Sequence, residues 1–319
     1  MRKSVLIILP AAMLILVLSS ISRAQPVVVG EPWELIPASE RIWLHPVWSP
    51  DGKYIAFSSE KHKGLWVAMA DGSGLRQISD RDGVGFGFSW SSDGKTLLAR
   101  ASGYINDLRH QWIEIIHAET GESHAMTKPQ RGIQGLPLWT HQDLHLGVVI
   151  DGRIQWIESG KAPLAVPIER PETPVAFSIE GKVLEGSTDN IDIRVMADFG
   201  DNAIFNVVKS PDGSRLAFQV SAQGLFVMNT DGTGLKQIGR GERPRWTPDG
   251  KYLIVMITKD DGYQITQSDL FAVDPQTGQE FLLTANTDII AMSPSVSPDG
   301  KKIAFENHKS GSIYVINIQ

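Results

Sequence analysis

The sequence predicts an all-β chain folded as a β-propeller of seven four-stranded blades, and three observations carry that prediction. An "SPDG" turn recurs along the chain, apolar β-branched segments flank each copy, and the copies lie about 40 residues apart. Clear copies stand at Ser49–Gly52, Ser210–Gly213, Thr247–Gly250 and Ser297–Gly300, with a near copy at Ser91–Gly94. Two are eroded, "THQD" at Thr140–Asp143 and "SIEG" at Ser178–Gly181. The steps between their last residues are 42, 49, 38, 32, 37 and 50.

Each element has a local reason. In the turn, Pro presets φ, Asp suits the third position and Gly takes the left-handed conformation, which closes a hairpin. The flanks "KYIAF", "SRLAF", "KYLIVMI" and "KKIAF" read as strands. The second half of each unit repeats too: "LWVAMADGSGLRQI" (Leu65–Ile78) is echoed by "LFVMNTDGTGLKQI" (Leu225–Ile238). That makes four strands per unit.

Closure is predicted from the ends. The last unit stops at its third strand, "SIYVINIQ" (Ser312–Gln319), while "WELIP" (Trp33–Pro37) has no unit of its own. From Ile36 to Trp48 is 12 residues, the same interval as from the outer-strand residue Ile78 to Trp90. The N-terminal strand should therefore complete the C-terminal blade. The fourth unit is short, and a merger of units three and four would give the alternative count of six.

The paired motifs "WSPDGKYIAF" and "LWVAMADGSGLRQI" resemble the repeat of the TolB family of β-propellers, over nearly all of the chain that follows the leader. The resemblance implies a periplasmic, non-catalytic protein of the cell envelope that docks protein partners and extended peptides. Two departures stand out. TolB carries an α/β domain before its propeller, for which this sequence has no room after the leader, and TolB has six blades.

Residues 1–24 read as a signal peptide: Arg2 and Lys3, an apolar run from Val5 to Leu18, then "SRA" with a cut after Ala24. The apolar run is 14 residues, shorter than the roughly 20 a bilayer span needs. Residues 25–319 would then be one secreted or periplasmic propeller domain, expected to be monomeric and without a membrane span. The alternative is a leader kept as an anchor. With no Cys, the chain has neither disulfides, thiolate zinc sites nor a lipidated N-terminal Cys. A formal charge of −6 without a basic stripe argues against nucleic acid as a partner.

No catalytic constellation, cofactor motif or metal-binding motif stands out. Gly-x-Ser-x-Gly is absent, and the eight His residues show no His-Glu-x-x-His spacing. Chemistry-bearing residues gather instead on the face opposite the "SPDG" turns, in the second-to-third-strand loops and the inter-blade links. The candidate binding residues are His45, Tyr104, Arg109, His110, Arg131, Arg243, Arg245 and Tyr263. His45 lies three residues before Trp48, in a slot near the channel mouth held elsewhere by Gly87, Leu136, Pro174, Asn206, Arg243 and Ser293. Trp48, Trp90, Trp139 and Trp246 recur in register and are expected to be core. The expected function is protein or extended-peptide binding. One alternative is a propeller-type polysaccharide lyase or carbohydrate-binding protein with a metal at the mouth near His45, His110 and Arg243. The other is a purely structural module.

Overall fold

The computed structural model describes residues 26–161, 175–187, 190–284 and 288–319. The leader and the Pro174 slot lie outside them. Strand β1 (Val28–Ile36) opens the chain. The first blade follows as β2 (Trp43–Trp48), β3 (Tyr54–Ser59), β4 (Leu65–Met69) and β5 (Arg76–Ser79). The second comprises β6 (Phe88–Trp90), β7 (Thr96–Ile105), β8 (Leu108–His117) and β9 (Ser123–Ala125). The third holds β10 (Ile133–Trp139), β11 (His145–Ile150) and β12 (Arg153–Glu158), and the fourth β13 (Val175–Ile179), β14 (Lys182–Ser187) and β15 (Asn190–Asp198). The fifth comprises β16 (Ile204–Lys209), β17 (Arg215–Val220), β18 (Gly224–Asn229) and β19 (Lys236–Gly239). The sixth comprises β20 (Glu242–Trp246), β21 (Leu253–Asp260), β22 (Ile265–Val273) and β23 (Glu280–Leu282).

The seventh blade is built from both ends of the chain: β24 (Ala291–Val296), β25 (Lys302–Asn307), β26 (Ser312–Ile318) and, outermost, β1. β1 runs antiparallel to β26, with Trp33 opposite Val315 and Ile36 opposite Ile313. Mutual backbone bonds between Val27 and Gln319 extend the pairing by one step. The strand starts at Val28, earlier than the Trp33 the repeat alone suggests, because the pairing continues past Trp33 to Ile318.

Seven buried apolar clusters settle the blade count, since each spans the boundary between consecutive blades. Val67 with Leu97 joins blades one and two, and Phe57 with Ala304 and Val315 joins blade one to blade seven. Blades three and four share the smallest cluster, Val149, Phe177 and Leu184. Among the described residues these two blades carry three strands each. In blade four the chain turns from Asp198 through Phe199 and Asn202 into β16, leaving Ile193 and Val195 exposed on the outermost strand.

The "SPDG" turns are built as the sequence implies. Gly52 takes φ +71°, its N–H bonds the Ser49 carbonyl, and the Ser49 hydroxyl donates to Asp51 (2.7 Å). The same Ser or Thr to Asp bond recurs at Ser91, Ser210, Thr247 and Ser297. Hydrogen bonds from Ser210 and Ser214 hold the Asp212 carboxyl down at about 2.

Trp48, Trp90 and Trp246 are buried and Trp139 is half-buried, and three of the four also staple blades together. Trp90 donates its indole N–H to the Val47 carbonyl of the preceding blade (3.1 Å). Trp139 does the same to Ser89 (3.2 Å) and Trp246 to Val208 (3.2 Å). Trp48, at the seam with blade seven, is the exception: among the described residues its buried indole N–H has no acceptor, and its backbone N–H bonds the Ser295 hydroxyl. A neutral hydrogen bond nets about 1 kcal/mol. Replacing Trp90, Trp139 or Trp246 by Phe should therefore cost about 1 kcal/mol more than Trp48→Phe in denaturant-midpoint measurements. Equal losses at all four would contradict the staple.

Candidate functional site

Every inner strand runs from the loop face toward the "SPDG" turns, and most break register on the way. Bulges interrupt the pairing of the innermost strand in blades one, three, five, six and seven. The residue at the break lies in the left-handed region: His45 (φ 55°), Asn206 (55°), Arg243 (51°) and Ser293 (53°), with Gly135 (66°) in blade three. A non-glycine residue there costs of order 1–3 kcal/mol, which the surrounding sheet must offset. These are the slot residues three positions before the motif Trp or its replacement (Lys209 in blade five, Val296 in blade seven), or one further back for Gly135.

A second ring of residues, ten positions after the motif Trp or the residue in its place (Lys209 in blade five, Val296 in blade seven), meets these bulges. In blade six this residue is Met256, whose sulfur accepts the Ser293 N–H of blade seven (3.3 Å). In blade two it is Arg100, which donates to the Gly135 carbonyl of blade three. In blade five it is Gln219, bonded to Asn206 of its own blade (3.5 Å). At the seam it is Glu306 of blade seven, whose carboxylate accepts the His45 N–H of blade one. Glu306 is almost fully buried, and burial raises its pKa; the His45 N–H and Arg243 oppose that rise.

Around this seam the structure gathers three of the predicted residues, His45, Arg243 and Arg245, and adds His62 and Glu306. The rings of His45 and His62 stack at 5.1 Å and 14°. His62 is brought there by the short turn Glu60–His62 between β3 and β4, and its other side meets Phe86 edge-on at 5.2 Å. Burial, followed by Arg243 and then His62, lowers the His45 pKa to about 3, so the imidazole is neutral at physiological pH. Burial and Arg243 lower His62 as well. Arg245 falls to about 10, first through burial and then through the neighbouring Arg243. Phe86 in turn lies under the Arg100 guanidinium at 5.5 Å. Leu136 packs over Gly87, where an added Cβ would stand 2.4 Å from its Cδ1. The mouth thus carries an arc that runs from Arg243 and Arg245 on blade six, past the neutral His45 and His62 on blade one, to Phe86, Arg100 and Leu136 on blades two and three.

The other predicted residues lie apart from this arc. The β7–β8 hairpin is among the longest in the chain and turns at Asn106 and Asp107, both with positive φ. Tyr104 stands 72 % exposed near its tip. Arg109 reaches back to the Ser102 hydroxyl (3.3 Å), and His110 Nδ1 is 2.8 Å from the Leu108 carbonyl. Tyr263, at the tip of the β21–β22 hairpin, is 99 % exposed. Arg131 is exposed two residues before β10. His110 and Arg131 are not drawn into the mouth. Among the described residues, no three His, Cys, Asp or Glu side chains are grouped so as to hold a metal ion.

No family model matches the chain. A dipeptidyl-peptidase 5 from Porphyromonas endodontalis is 24 % identical over 235 residues, which cover 70 % of this chain and 31 % of that enzyme. The chain thus spans less than a third of that relative's length. Among solved structures, one assigned as TolB from Agrobacterium tumefaciens superposes with a TM-score of 0.55. It is 15 % identical, with 88 % of this chain and 91 % of that one covered. The fold is TolB-like. A chain of a mitotic checkpoint complex superposes with a TM-score of 0.64 at 14 % identity, covering 100 % and 98 % of the two chains. At these identities both likenesses speak for the propeller alone, and this TolB-like ring has seven blades.

Two predictions follow from the seam. His45 stays neutral when folded yet takes a proton near pH 6.5 when unfolded, so the folded state loses stability as pH falls from 6.5 toward 3. His45→Asn, which suits a left-handed backbone as Asn206 does, should flatten the decline of melting temperature between pH 7 and 4.5; an unchanged slope contradicts the assignment. Glu306→Gln keeps an acceptor for the His45 N–H and should stay within about 1 kcal/mol of the parent, whereas Glu306→Leu should lose about 2 kcal/mol more. Equal stabilities of the two variants would show that the bond contributes nothing.

Proposed function

We propose that the chain is a non-enzymatic, TolB-like scaffold that binds a protein or an extended peptide across its loop face and channel mouth, in the periplasm or outside the cell. The observation that carries this reading is the pair of long hairpins in blades two and six. Their second and third strands run eight to ten residues, against five or six in blade one, and place Tyr104 and Tyr263 in solvent. Rigid β-hairpins pay little entropy on binding, and exposed Tyr and Arg are the residue types that dominate interface energies. Ile105 and Leu108 add exposed apolar surface to the first tip.

The scaffold reading draws nothing from the Porphyromonas relative's name, because this chain matches only 31 % of that enzyme and the residues given hold no Gly-x-Ser-x-Gly nucleophile turn. The lyase reading requires metal ligands at the mouth, where the described residues bring His45 and His62 together without a third. The leader read from residues 1–24 supports export, and no helix among the described residues is long and apolar enough to cross a membrane.

The test is crosslinked capture from envelope extract with the parent chain and with the Tyr104→Ala, Tyr263→Ala double variant. The parent should retain a stoichiometric partner that the variant loses by roughly tenfold or more, with melting temperatures alike. Equal capture by both, or turnover of a substrate with no partner retained, would refute the scaffold.

A further inference from the structure

Arg243 and Arg245 are both half-buried on the inner strand of blade six, close enough that Arg243 depresses the basicity of Arg245. Among the described residues neither guanidinium forms an ion pair with a carboxylate. The one side-chain hydrogen bond recorded for either is Arg245 Nη1 to the adjacent Pro244 carbonyl (2.9 Å). The two acidic groups whose charge acts on Arg243 each also accept a hydrogen bond from another donor. Glu306 accepts the His45 N–H, and Glu242 accepts the Thr258 hydroxyl (2.8 Å). The facing imidazoles, His45 and His62, are neutral and add no competing cation. Among the described residues most of the ten N–H donors of the two guanidiniums therefore have no protein acceptor, on side chains that are half-buried, and a planar oxyanion meets such paired forks bidentately.

We propose that this pair is a carboxylate receptor, taking the carboxylate of an extended peptide whose neighbouring apolar side chain lies along the arc on Phe86 and Leu136. The proposal rests on the scaffold reading and names the chemistry of its ligand. The carboxylate comes from a free C-terminus or from an Asp or Glu side chain. A uronic-acid chain offers the same anion but no apolar side chain for Phe86 and Leu136, so the peptide is the occupant the arc fits.

Calorimetric titration of the propeller decides it, using four probes. These are an N-acetylated hexapeptide ending in phenylalanine with a free C-terminus, its C-terminal amide, an amidated peptide with aspartate before the phenylalanine, and trigalacturonate. At least one acidic peptide should bind at least about tenfold more tightly than the neutral amide. Arg243→Gln and Arg245→Gln should each weaken it by about tenfold, and Arg243→Lys by several-fold, because Lys keeps the charge but loses the fork. Which acidic peptide binds identifies the source of the carboxylate. Equal binding of acid and amide, no acidic peptide binding at about 10 mM, or binding of trigalacturonate alone overturns the proposal. Should Arg245→Gln fail to fold, Arg243→Lys carries the test, and parent-like affinity in it overturns the proposal. Failure of the acidic peptides while capture still depends on Tyr104 and Tyr263 removes the receptor and leaves the scaffold standing.

Discussion

A ring of sheets exists only if its two ends are joined, and here the join is a strand exchange between β1 and β26. Each blade is apolar on both faces, so any blade left at an open edge would present a buried surface such as Phe57 or Phe305 to water. Burying such a side chain is worth about 1.5–3 kcal/mol, and every interface of the ring depends on that join. The seam also departs from the repeat. The indole staple fails at Trp48, and a buried carboxylate, Glu306, stands where other blades use Ser58, Gln219 or Met256.

That irregularity places the candidate site. A bulge in the innermost strand frees a backbone N–H and sets one side chain at the mouth; in blade seven the neutral Met256 sulfur answers the N–H of Ser293. At the seam a carboxylate answers the His45 N–H, and the slots on either side of Ser293 hold His45 in blade one and Arg243 in blade six. Architecture and the candidate site thus share a cause, for the register break in the innermost strand is also where His45 and Arg243 stand. The same desolvation that keeps His45 neutral strengthens whatever the two arginines hold.

Much of the fold was legible because turns and strands write themselves in local sequence. The "SPDG" copies marked the blades, and the interval from Ile36 to Trp48 marked the closing strand. The start of β1 at Val28 was not legible, since "PVVVGEP" lacks a repeat partner and is fixed by pairing with residues near 318. The third strand as blade four's last was visible only as a short interval. In the site, the slot before the motif Trp pointed to His45 and Arg243. His62 and Glu306 were missed, because each reaches the mouth from an element distant in sequence. A signal for Glu306 existed: it is a charged residue directly after the buried Phe305, at a position where related strands carry Ser or Gln. The long hairpins could be read from the large steps, but their exposed tips could not be related to the mouth.

The most direct measurement of the central claim is native-state hydrogen exchange resolved by peptide. A ring closed by β1 predicts that amides of Val28–Ile36 exchange only with the global opening that releases β25 and β26. Exchange of β1 at the rate of exposed loops, while β25 remains protected, would contradict the closed ring and the seam on which the site is built.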